Sequence, residues 1–138
     1  MVFEATITHV IADAKGNDKT VKENFIFENN ELFGEVEAKL YEEYGELTGF
    51  EVVAIKKDAK IREIVNKREN EFDKIFVAEL ASLFLDEVTG EEKATIYKVV
   101  LYAGYYDSAY KKVTEYMKQG LADLELVSLK KTNFVDVL

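Results

Sequence analysis

A single histidine, His9, and three serines, Ser82, Ser108 and Ser128, make up the inventory for nucleophilic catalysis in a chain without cysteine. A hydrolytic triad would need His9 to meet one of those serines and a carboxylate, and none of the three lies in a Gly-x-Ser-x-Gly turn. No catalytic residue is assigned, and the chain is not expected to be an enzyme. His9 continues an alternation of apolar and polar residues, so it is expected as a partly buried or hydrogen-bonded strand histidine. With 27 Asp and Glu, carboxylate pairs such as Glu31 with Glu35 and Asp13 with Asp18 arise by chance and read as solvated surface. Asp13 to Asp18 fails the calcium-loop pattern, because Gly16 comes too early and no bidentate Glu closes a twelve-residue loop. No metal site and no cofactor are expected, and Gly45-Glu46-Leu47-Thr48-Gly49 lacks the Lys-Ser or Lys-Thr of a phosphate loop.

The suggestive constellation is aromatic. Six of the eight tyrosines lie between Tyr97 and Tyr116, interleaved with Lys98, Lys111, Lys112 and Lys118. Tyrosine offers an apolar ring with a polar tip, which suits a protein interface, and tyrosines beside lysines can also stack bases and neutralise phosphates on single strands. The candidate binding face is Tyr97, Lys98, Tyr102, Tyr105, Tyr106, Tyr110, Lys111 and Lys112. Part of the region must be core, because Tyr106 and Tyr110 precede Val113 and Met117 on what reads as one helical stripe.

The elements that must position these residues come twice. Phe3-Glu4-Ala5-Thr6-Ile7 returns as Phe76-Val77-Ala78-Glu79-Leu80, Gly16 and Lys19 return as Gly90 and Lys93, and Phe50 to Lys57 returns as Leu124 to Lys131, at offsets of 73 to 74 residues. Such a repeat predicts two copies of one supersecondary unit related by an internal pseudo-two-fold. In the first copy, Phe3, Ala5, Ile7, His9 and Ile11 share one side of a period-two strand. A turn over 13–18 leads to a second strand carrying Val21, Phe25 and Phe27. Asn29 or Asn30 is placed to cap a helix whose stripe is Leu32, Val36, Leu40 and Tyr44, and Gly45 to end it. A strand over 50–56 follows, and Ile61, Ile64 and Val65 suggest a short closing element.

In the second copy the pattern predicts strands over 75–85, 94–103 and 124–130 and a helix over 106–119, capped by Asp107 or Ser108. Each copy is β-β-α-β, so the fold class expected is α+β: tandem duplicated units, antiparallel sheet, helices on one face. The divisions are 1–65 for the first repeat, 66–73 for a charged connector and 74–138 for the second repeat. No proline interrupts the pattern, which leaves edge strands protected by charge alone.

Composition bounds the setting. At 138 residues with 48% apolar content and 17 Phe and Tyr, the chain can build a core without staples. The absence of cysteine argues against a disulfide-stabilised secreted domain, and no signal peptide or membrane-spanning apolar run is apparent. A cytoplasmic protein of a bacterium or infected host cell is the expectation, with no membrane partner. The net charge of -9 opposes diffuse attraction to phosphate backbones. It is unevenly shared: residues 1–73 hold 10 Lys and Arg against 17 Asp and Glu, and residues 74–138 hold 8 against 10.

The opening strand with its Gly turn, Phe50-Glu-Val-Val-Ala-Ile-Lys-Lys, Lys60-Ile-Arg-Glu-Ile and Phe134-Val-Asp-Val-Leu138 together resemble a family of small proteins known only as a domain of unknown function. The family is found in gut bacteria and their tailed phages, including crAss-like phages. The resemblance spans almost the whole chain and implies a phage setting, with no site residues to carry over. The leading expectation is a non-catalytic phage or prophage accessory protein that binds a host or phage protein, in its sharper form as an inhibitor or nucleic-acid mimic. The alternative is a single-stranded nucleic-acid-binding protein using the Tyr and Lys face of the second repeat. Monomer and small homo-oligomer both fit, with a mild preference for the monomer.

Overall fold

The computed structural model describes residues 1–120 and 122–138. Their element order is β1 (Phe3–Ala12), β2 (Asp18–Phe27), α1 (Phe33–Tyr44), β3 (Glu51–Lys57), β4 (Ile61–Ile64), β5 (Lys74–Leu85), β6 (Glu92–Ala103), α2 (Tyr106–Lys118), β7 (Asp123–Lys131) and β8 (Phe134–Val137). Two four-stranded sheets result, ordered β3-β1-β2-β8 and β4-β6-β5-β7. The chain is thus α+β with two antiparallel-rich sheets and two helices.

The packing units do not follow the halves of the sequence. Residues 1–59 with 133–138 form one compact unit and residues 60–132 the other. The cause is a crossing of short strands. β8 adds parallel to β2 in the first sheet, and β4, which closes the first half of the pattern, adds parallel to β6 in the second. The expectation of purely antiparallel sheet is corrected at these two edges, and β8 was not foreseen as a strand.

In the first unit, β1 buries Phe3, Ala5, Ile7 and His9 on one side, as its alternation requires. Phe25, Phe27, Val36 and Leu40 complete that core, with Tyr44 stacked on Phe25 at 4.9 Å. Helix α1 begins later than its asparagines suggest, with Leu32 at the N-cap and no side-chain cap. Asn30 is instead buried, donating from Nδ2 to the Glu28 carbonyl at 2.7 Å and accepting from Lys39 Nζ at 2.8 Å, while Asn29 takes φ 60°. Leu32 is exposed ahead of the helix, so the buried stripe is carried by Val36 and Leu40.

The second unit repeats the plan with Phe76, Ala78, Leu80, Tyr97, Val99, Leu101 and Ala103 from the sheet against Ala109 and Val113 of α2. The N-cap is Tyr105, in extended conformation and without a side-chain cap, so neither Asp107 nor Ser108 fills that role. Register coincides as well as order. β1 slips against β3 between Thr6 and Ile7, and β5 slips against β7 between Glu79 and Leu80, 73 residues on. Asn24 and Phe25 face Phe134 and Asp136, whereas Lys98 and Val99 face Ile61 and Glu63.

The slips leave Val53 and Val127 as the extra residues of the outer strands β3 and β7, and both are exposed. These bulges, next to Lys56-Lys57 and Lys130-Lys131, twist and charge the open edges against pairing with another chain. Charge is therefore not their sole protection.

Candidate binding face and neighbouring cleft

Helix α2 stands on sheet β4-β6-β5-β7 through Ala109 and Val113, and this footing decides which tyrosines reach solvent. With 3.6 residues per turn, Tyr110 lies about 100° around the helix from Ala109, off the buried stripe. Tyr106 falls in the first turn. The two are 53% and 50% exposed, and Tyr105, extended just before the helix, is 66% exposed. Lys111 is exposed beside them. Tyr106 and Tyr110 are four residues apart and so present adjacent rings on one side of the helix. Among the described residues none of these four side chains makes a hydrogen bond, ion pair or ring contact. The reading that placed Tyr106 and Tyr110 on the core stripe is corrected.

Tyr97 and Tyr102 do not belong to this face, because both lie in β6 and are only 7% and 3% exposed. Each ring is covered by an arginine: Arg62 stands 4.1 Å from the centroid of Tyr97, and Arg68 stands 4.8 Å from that of Tyr102. A guanidinium already occupies the surface on which a base would stack. Lys98 is half-buried in the same strand, its backbone N–H donating to the Lys60 carbonyl at 2.8 Å. Lys112 is also half-buried and donates from Nζ to the Tyr102 carbonyl at 3.1 Å. Of the eight residues expected to form one face, Tyr105, Tyr106, Tyr110 and Lys111 are brought together in the open.

Beside α2, a cleft of about 430 Å³ is lined by Glu63, Asn66, Glu69, Lys112, Glu115 and Tyr116, among others. The Tyr116 hydroxyl donates to the Glu63 carboxylate. Burial, followed by the Glu63 hydrogen bond and charge, raises the Tyr116 phenol above its ordinary value. It stays neutral and donating at any physiological pH. One wall of the cleft comes from residues 66–73, read from sequence only as a charged connector.

That segment is built around two polar residues. Asn66 accepts from the Tyr102 backbone N–H at 2.7 Å and donates to its carbonyl at 2.9 Å, so its side-chain amide extends the β4–β6 ladder by one more pair. Buried Asp73 accepts from the backbone N–H groups of Glu69 at 2.9 Å and Asn70 at 3.2 Å, while Arg68 donates to its carbonyl at 2.6 Å. The Glu69 bond first, then that of Asn70 and the charges of Lys112 and Arg68, hold the Asp73 carboxyl below the usual range against the opposing effect of burial. The signal available in sequence was an Asx residue at each end of the charged run, which is the residue type that closes turns on the backbone.

His9 and Asp13, also weighed for chemistry, have local partners. Buried His9 donates from Nε2 to Glu23 Oε1 at 2.7 Å, the hydrogen-bonded strand histidine expected. Asp13 accepts from the backbone of Lys15 at 2.8 Å and Asn17 at 2.9 Å, and Asp86, at the corresponding turn, accepts from Val88 and Thr89 and pairs with Lys93 at 2.8 Å. Both aspartates serve as turn builders. No helix among the described residues is long and apolar enough to cross a membrane.

No curated protein and no solved structure matches the chain. A family described as a domain of unknown function, DUF4494, matches residues 1–138. With that match covering its whole length, the chain belongs to the DUF4494 family.

Proposed function

We propose that this chain is a non-catalytic accessory protein that binds another protein through the tyrosines at the start of α2. The observation that carries the reading is the cluster of Tyr105, Tyr106 and Tyr110 in solvent beside Lys111. Three amphipathic rings, two on the first turn and a half of the helix and one just before it, offer large contact area at low conformational cost, which is what protein interfaces select. Burial of Tyr97 and Tyr102 removes two stacking surfaces that a single-strand platform would use. Charge supports the same order. The 60–132 unit holds 12 Lys and Arg against 13 Asp and Glu, and the other unit 6 against 14, so neither carries the net positive field with which nucleic-acid binding begins.

The chain is also read as a tandem duplication with an internal pseudo-two-fold. Support comes from the offset of 73 to 74 residues, which carries strand order, both edge slips and both parallel pairings from one sheet to the other. The resemblance to proteins of gut bacteria and their tailed phages supports a phage or prophage origin, and the lack of cysteine supports a reducing, cytoplasmic setting. An acidic body of this size also suits an inhibitor that occupies a basic groove by charge mimicry.

The test compares the wild-type chain with the Tyr105→Ala/Tyr110→Ala double variant in quantitative capture from host lysate, alongside anisotropy of labelled single-stranded DNA and RNA over a salt series. A protein retained by the wild type and depleted at least tenfold by the variant is expected, with oligonucleotides unbound at low salt. Salt-sensitive oligonucleotide binding that falls in the variant and in Lys111→Ala would establish the single-strand reading instead. A capture profile identical for wild type and variant would remove this face from consideration.

A further inference from the structure

We propose that the two halves of the chain, joined through residues 66–73, are reciprocal strand donors, so that each half is a docking partner for the complementary half of a second copy. This does not depend on the binding role proposed above. The first half gives β4 to the sheet of the second, and the second half gives β8 to the sheet of the first. Both additions are made by main-chain hydrogen bonds. Leu138 donates to the Ile26 carbonyl at 2.7 Å and Glu28 to the Leu138 carbonyl at 3.1 Å; in the other sheet Lys98 donates to the Lys60 carbonyl at 2.8 Å and Val65 to that of Val100 at 2.7 Å.

Apolar anchors fix the register. Leu138 packs on the core of Phe25, Phe27, Val36 and Leu40, Val65 packs on the core of Phe76, Val99 and Leu101, and Ile61 is buried. This is recognition by strand addition, with backbone bonds for affinity and alternate side chains for specificity. Nothing in it depends on which chain supplies the strand. The covalent link contributes effective concentration, and the exchange closes on itself when two strands pass in opposite directions, as an isologous dimer requires. The link has an exposed tip at Glu71 and Phe72, where it can be opened without cutting either strand.

The experiment inserts a protease recognition sequence between Glu71 and Phe72 of the full chain, cleaves the folded protein, and mixes tagged with untagged cleaved preparations. The cleaved protein is expected to elute at the volume of the uncut protein, and tagged 1–71 to retain untagged 72–138 after mixing. Removing residues 134–138 is expected to weaken that retention by at least about tenfold, the loss of a few backbone hydrogen bonds. Separation of the fragments at micromolar concentration would overturn the proposal. So would retention unaffected by the loss of 134–138, which would mean that donation of β8 has no part in holding the halves and the exchange is not reciprocal. Should the insertion unfold the chain, unmodified tagged and untagged copies are unfolded together in urea and refolded at high concentration. Mixed dimers are then expected, and monomers alone would overturn it.

Discussion

Asp73 shows how one carboxylate organises a segment that composition describes only as charged. Its side chain reaches back to hold the amides of Glu69 and Asn70, in a buried position at the foot of β5. Replacing Asp73 by Ala is expected to cost about 1–2 kcal/mol, the usual loss when backbone donors are left without their acceptor, read as a lower urea midpoint at neutral pH. The pH dependence has a definite sign. The folded carboxyl is held below its unfolded value, so its contribution is complete above about pH 4 and is lost as pH falls through the lower folded pKa. The gap in midpoint between wild type and Asp73→Ala should therefore be constant from pH 7 to about 5 and shrink toward pH 3. A gap that widened on acidification would show that the charge is not what matters there. The tyrosines of the proposed binding face are the opposite case, since Tyr105, Tyr106 and Tyr110 are exposed and contribute little to folding. The Tyr105→Ala/Tyr110→Ala variant of the capture test should keep an unfolding free energy within about 0.5 kcal/mol of wild type.

Strands and helices differ in how much of them a sequence displays. β1, β2, β5, β6 and both helices are long enough to show a period, and each lies within about two residues of where alternation or a four-residue stripe puts it. β8 has only four residues and its partner β2 lies more than a hundred positions earlier, so no local pattern could announce it. The tyrosine face was half legible for a related reason. Composition revealed the cluster, but the division between buried Tyr97 and Tyr102 and exposed Tyr105, Tyr106 and Tyr110 depends on which strand and which turn of α2 carries each. Glycines mark the turns that could be read directly. Gly49 leads into β3 at φ +66°, and a Cβ there would sit 2.8 Å from Val10 Cγ2. Gly16 is at φ +80° with open space around it. Gly49→Ala should thus cost more than Gly16→Ala: roughly 2–3 kcal/mol against about 1, since only the first adds a packing clash to the left-handed backbone. Equal shifts in Tm for the two would mean that Val10 yields without cost.

Connectivity couples the two compact units unequally, because residues 60–132 are continuous and interrupt the chain of the other. While the inserted unit is folded, the ends of segment 60–132 are held at a fixed separation. Once it unfolds, the docking of β8 on β2 must close a long flexible loop, at a cost on the order of 4 kcal/mol. β8 has four residues and a few backbone bonds with which to oppose that cost, whereas β1, β2, β3 and α1 close among themselves within residues 1–59. Loss of the inserted unit should therefore release β8, and loss of the first unit should leave the inserted one closed, since all four of its strands lie within one continuous segment. Two core truncations separate the cases: Leu101→Ala in the inserted unit and Phe25→Ala in the other, each removing a fully buried side chain at about 2–5 kcal/mol. Under hydrogen exchange, Leu101→Ala should strip protection from the Leu138 amide, which bonds Ile26, along with that of β5 and β6. Phe25→Ala should expose Leu138 and β1 while β5 and β6 keep their protection. If Phe25→Ala opened β5 and β6 to the same degree, the units would unfold as one body and chain order would not govern the coupling.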